Sequence, residues 1–186
     1  MYYHASRVPG IKRLIPHTSN HGRPLLYLSA KRENVLVYLS NAVEKYCRES
    51  GFVHNGIYRT WASYGFTRDK ILRLDEYYPD AIADTYRGVS GFIYTTDDVT
   101  DCQRQEDIPY AVVTEEPAVV NGCEYVPDAY DAIIEAAGNN LIAIRRYETL
   151  GFGMQKWIEE TVRNEYLSSE AHPEYRAFLK AKFAFL

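Results

Sequence analysis

A chain of 186 residues, 46% apolar and 25% charged, is long enough for one buried core and short for two, and it reads as a single domain over residues 1–186. A formal charge of −4, with acids and bases scattered along the chain, gives no positive field for a DNA duplex. Cys47, Cys102 and Cys123 are odd in number and lack paired spacing, so neither a disulfide framework nor a metal site is expected.

The start, Met1-Tyr2-Tyr3-His4, has no basic stretch leading into an apolar run, and no apolar segment is long enough to span a bilayer. The expectation is a cytoplasmic protein without membrane contact. Residues 1–5 and 24–28 are short apolar runs separated by a loop rich in Pro, His, Ser, Asn and Gly, which predicts strand, loop, strand. Ser29 then stands as an N-cap for a helix over about residues 30–49, with Val35, Leu39, Ala42, Val43 and Tyr46 at helical spacing and Gly51 as its stop. Residues 52–90 mix aromatic and charged residues without a clean period, and read as a variable insert with short helices, one of them starting at Pro79 and ending before Gly88.

From Gly91 the texture becomes β-rich, with runs at 91–95, 110–114 and 117–120 bounded by acidic loops. A helix follows from about Pro127 to Gly138, then a strand at 141–144, then helices at roughly 155–167 and 173–183 in a C-terminal extension over 151–186. Clustered strands with helices at intervals predict an α+β fold rather than a doubly wound parallel sheet.

Glycine-rich phosphate loops, a G-x-S-x-G elbow, an H-E-x-x-H pair and an EF-hand loop are all missing from the sequence. What remains is a set of histidine, tyrosine and serine positions. His4 and Ser6 fall on one side of an extended first strand, because side chains alternate with period two. Tyr27-Leu28-Ser29 marks the passage from strand to helix, and Tyr38 follows on that helix. Tyr27 and Tyr38 can flank one slot, although the same spacing also puts Tyr38 in a buried stripe beside Val35, Leu39 and Ala42.

In order and spacing these pieces resemble the ADP-ribosyltransferase superfamily. Tyr3-His4-Ala5-Ser6 resembles its first-strand H-x-[ST], Tyr27-Leu28-Ser29 its Y-x-[ST], and the gap from Tyr27 to Tyr38 is similar to the tyrosine pair of diphtheria-type toxins and poly-ADP-ribose polymerases. Closer still are the small rifamycin ADP-ribosyltransferases. Leu14-Ile15-Pro16-His17-Thr18-Ser19-Asn20 resembles their L-x-P-G-x-x-S-N loop, Gly91-Phe92-Ile93-Tyr94 their G-R-I-[YF] strand, and Thr114-Glu115-Glu116-Pro117 their T-x-E-P turn.

The resemblance implies two small packed β-sheets in a split arrangement, with a helix after the second strand and extra C-terminal helices. It implies NAD as a substrate and a small molecule or protein as acceptor. By that likeness His4 and Ser6 hold the nicotinamide ribose half of the pocket, Tyr27 and Tyr38 sandwich the nicotinamide ring, and Ser29 and His17 join the binding set. His17 and His21, aided by Arg23, can also reach phosphates, as can Arg145-Arg146. Stacking and fixed polar groups would then stabilise an oxocarbenium-like transition state with little covalent help.

The family's acid is the point of departure. Pro109 and Ala111 flank Tyr110 where a carboxylate is expected, so the choice falls among Asp97, Asp98, Asp101, Glu106, Asp107, Glu115 and Glu116, with Asp101 favoured as the catalytic acid. Two further readings stay open: a non-catalytic descendant that binds a nucleotide or a partner, and an RNA 2′-phosphotransferase-like enzyme.

Overall fold

The computed structural model describes residues 1–18, 22–55 and 61–186. The chain opens with strands β1 (Tyr2–Ser6), β2 (Arg13–Leu14), β3 (His17–Thr18) and β4 (Pro24–Ser29), then a 3₁₀ segment (Glu33–Tyr38) and helix α1 (Ala42–Ser50). Strands β5 (Ala62–Phe66) and β6 (Leu72–Glu76) and helix α2 (Ala81–Tyr86) follow. Next come β7 (Gly91–Thr96), β8 (Gln103–Arg104), β9 (Ala111–Thr114), β10 (Ala118–Val119) and β11 (Gly122–Val126). Helix α3 (Ala129–Gly138), strand β12 (Ile142–Arg145), a short 3₁₀ turn (Tyr147–Thr149) and helices α4 (Phe152–Ser168) and α5 (Pro173–Lys182) complete the chain. The class is mixed α+β, as the clustering of strands predicts, and no helix of the described residues is long and apolar enough to cross a membrane.

These elements form two compact units, each assembled from separate stretches of chain. The first holds Met1–Leu39, Phe66–Leu72 and Gly88–Ala143; the second holds Ser40–Gly65, Arg73–Arg87 and Ile144–Leu186.

The first unit is built on an antiparallel sheet in the order β11-β7-β1-β4-β9-β8, with β3 also pairing β4. A small sheet of β10 and β2 brings buried Leu14 and Ala118 onto Leu26, Leu28, Tyr94 and Val112, closing one apolar cluster. Strand β7 passes close to its neighbours at Gly91, where an added Cβ would lie 2.5 Å from Leu39 Cδ2 and 3.0 Å from the Ser6 carbonyl. Helix α3 begins at Asp128, whose carboxylate accepts the Tyr130 and Asp131 N–H groups and so satisfies two of the donors a helix start leaves unpaired.

The second unit contains α1, α2, α4 and α5 and most of the sheet β12-β6-β5. Its core is aromatic: Trp61 packs edge-on to Phe183 with centroids 5.3 Å apart and lies beside Tyr77, Tyr175 and fully buried Phe178. The same unit holds two buried carboxylates, Asp75 and Glu76. Asp75 takes both Arg73 and Arg145, and Glu76 takes Arg146 at 3.0 Å together with the Ile82 and Tyr147 N–H groups. Burial by itself would raise the Asp75 carboxyl, but the two guanidiniums outweigh it and hold the group below the usual carboxylate range.

Several sequence expectations change. The helix over 30–49 is a 3₁₀ segment followed by a separate α1, with Leu39 at φ −90°, ψ 77° between them. Val35, Leu36 and Val37 are all buried, a consecutive run that one face of an α-helix cannot bury, and Ser40-Asn41 favours a cap over a helix interior. Ser29 accordingly does not cap a helix; it accepts the Lys31 N–H in a local turn. Gly51, at φ 76°, does terminate α1.

The 52–90 insert carries two strands besides its helix. Strand β6 escapes sequence patterning because Asp75 and Glu76 are buried where acids are expected outside. The first loop contains the short β2 and β3, and β8 and β11 lie in stretches read as loop. Ser19, Asn20 and His21 of the first loop and residues 56–60 of the insert lie outside the described residues.

Candidate functional site

The predicted site begins where β1 meets β4. Strand β1 pairs with β7 along its whole length, from Tyr2↔Thr96 to Ser6↔Phe92, whereas its ladder with β4 is a single pair, Tyr3↔Ser29. Along its other edge β4 pairs with β9, matching Tyr27 with Val113 and Ser29 with Ala111. His4 occupies the place where the β1–β4 ladder stops. Its Nδ1 lies 3.0 Å from the Tyr27 carbonyl, so a side chain replaces the missing ladder bond.

The hydrogen bond also fixes the ring's chemistry. A carbonyl only accepts, so Nδ1 carries the proton and Nε2 keeps its lone pair. Burial lowers the His4 pKa, the bond to Tyr27 opposes that shift, and nearby His17 adds to it. A neutral imidazole with an accepting Nε2 can take a hydrogen bond from a hydroxyl.

The other expected residues are placed as follows. His17, on β3 opposite Leu25, is exposed and close enough to His4 to act on it electrostatically. Ser6 and Ser29 both accept nearby backbone N–H groups, from Val8 at 3.2 Å and Lys31 at 3.0 Å, so each hydroxyl stiffens its own strand end. Tyr38 ends the 3₁₀ segment and is 49% exposed, outside the buried run of Val35, Leu36 and Val37. Tyr27 is half-buried. Opposite Ser29, where a carboxylate would complete the pattern, stands Ala111.

Asp101 lines a cavity of about 400 Å³ bounded by β4, β8 and β9. Leu25 and Val113 supply its apolar surface, and Gln103 and Gln105 its amides. Glu115 and Glu116 line it with Asp101, and Arg23 pairs with Glu115 rather than standing ready for phosphate. His4, Tyr27 and Tyr38 are not among the lining residues, although Val113 lies directly across the ladder from Tyr27. Asp101 has φ +49°, a conformation aspartate tolerates better than most residues. Buried Thr114 fastens the wall: its hydroxyl donates to the Thr100 carbonyl at 2.9 Å and accepts the Glu116 N–H at 3.0 Å.

Of the remaining acids, Asp97 pairs with the N-terminal amine, and Glu106 and Asp107 are exposed in the loop before β9. Arg145 and Arg146 are tied to the buried carboxylates of the second unit. Sequence reasoning missed Gln103 and Gln105, which belong to no motif, and the bidentate pair of Arg32 with Glu124, whose partners are 92 positions apart. Arg32 holds the Glu124 carboxyl below its ordinary range. Among the described residues no group of three or more His, Cys, Asp or Glu is arranged to hold a metal ion. Compared with protein-family models, with curated proteins and with solved structures, the chain matches none of them.

Proposed function

We propose that this chain is an NAD-dependent mono-ADP-ribosyltransferase-like protein that modifies a small molecule or a protein. The observation that carries the reading is the hydrogen bond from His4 to the Tyr27 carbonyl at the end of the β1–β4 ladder. It joins the first-strand imidazole to the strand bearing Tyr27, the two motifs on which the resemblance rests. In this reading Nε2 of His4 accepts a ribose hydroxyl, and Tyr27 and Tyr38 bracket the nicotinamide ring. Fixed dipoles of this kind stabilise positive charge as it develops on the ribose, and removing one typically costs about 10²-fold in rate.

One observation favours a second reading, a non-catalytic descendant that binds a nucleotide or a partner: Ala111, without a carboxylate, stands opposite Ser29. Incubating the purified protein with NAD and following nicotinamide release separates the two. Turnover that is lost in His4→Ala and Tyr27→Ala supports the transferase. Thermal stabilisation by NAD without release supports the binder. No binding at about 1 mM NAD rejects the transferase and the NAD-binding form of the second reading.

A further inference from the structure

We infer that the cavity bounded by β4, β8 and β9 is a binding site for a small organic cation, an amine- or guanidine-bearing molecule with a short hydrocarbon body. This inference does not depend on NAD binding. The volume of about 400 Å³ falls in the range of small-molecule sites, and the mixed lining suits an amphipathic guest: Leu25 and Val113 take the hydrocarbon, and the amides of Gln103 and Gln105 take polar hydrogens.

Charge selects the guest's sign. Three carboxylates face one guanidinium, and that guanidinium is already paired with Glu115, so Asp101 and Glu116 are left in surplus; among the described residues neither has an ion-pair partner. A concave wall concentrates the field of such charges, attracting cations and repelling the phosphates of a nucleotide. The two acids are also held in place from behind. One buried hydroxyl, that of Thr114, binds the carbonyl next to Asp101 and the N–H of Glu116, so the cavity keeps its shape before a ligand arrives.

The probe is agmatine, with uncharged 1,4-butanediol as its control, titrated by calorimetry at low and high salt. The expected result is saturable agmatine binding with a Kd of about 1 mM or tighter, weakening with salt, and none for the diol. Asp101→Asn combined with Glu116→Gln is expected to weaken binding about tenfold, since exposed charge pairs are individually modest. Arg23→Gln, which frees Glu115, is expected to tighten binding about threefold, a gain that misfolding cannot mimic. Absence of saturable binding by about 10 mM overturns the inference. So does equal binding of the diol, or an Arg23→Gln variant that binds no better than the natural chain.

Discussion

The proposed function gives His4 two separable tasks, and two substitutions divide them. Its Nδ1–H donates to the Tyr27 carbonyl at 3.0 Å, while Nε2 points the ring's lone pair elsewhere. In His4→Ala the carbonyl loses its donor in a part-buried setting, and the imidazole volume is lost as well. A net hydrogen bond is worth about 1 kcal/mol and an unsatisfied buried acceptor adds about 1 kcal/mol or more, so the variant should lose roughly 2 kcal/mol of stability. In His4→Asn the side-chain amide nitrogen falls close to the former Nδ1 position, so the donor survives and the loss should stay within about 1 kcal/mol. Both variants remove Nε2 and, if the chain is the transferase proposed, should release nicotinamide from NAD about 10²-fold more slowly than the natural chain. Urea unfolding followed by circular dichroism reads the first quantity, and nicotinamide release reads the second. Equal stability loss in both variants would refute the assignment of the Tyr27 bond as the ring's anchor.

Other expectations follow from the same structure. Burial depresses the His4 pKa below 6.5, so the unfolded chain binds a proton that the folded chain refuses, and stability falls as pH drops below about 6.5. The slope from this residue is at most about 1.4 kcal/mol per pH unit; it should be absent from the His4→Asn unfolding curves and so appear as the difference between natural and variant. Gly91→Ala places a methyl against Leu39 and the Ser6 carbonyl, and should cost about 1–3 kcal/mol in urea unfolding; an unchanged midpoint would show that β7 can shift to admit it. In the second unit, Phe178→Ala empties the centre of the aromatic core around Trp61 and should cost about 3–5 kcal/mol, with a matching loss of the near-ultraviolet signal of the packed rings.

The sequence made the strongly patterned elements legible. Strands β1, β4, β7 and β9 are short apolar or β-rich runs bounded by polar loops, α3 has apolar residues at helical spacing before Gly138, and α4 and α5 lie close to the two C-terminal helices expected at 155–167 and 173–183. His4 is marked by its place on the first strand, whereas its bond to the Tyr27 backbone carbonyl comes from the pairing of β1 with β4. Tertiary structure decided the rest. Whether Val35 to Leu39 would continue into α1 depended on burial from several sides, which only the packed chain imposes. Strand β6 exists because Arg73, Arg145 and Arg146 compensate Asp75 and Glu76, and two of those cations arrive from about 70 positions away. The cavity is likewise made of residues from β4, β8 and β9 that no local pattern links. Periodicity reports a segment's own preference for one face, whereas charge compensation and concavity are properties of segments brought together. Those exist only in the folded chain.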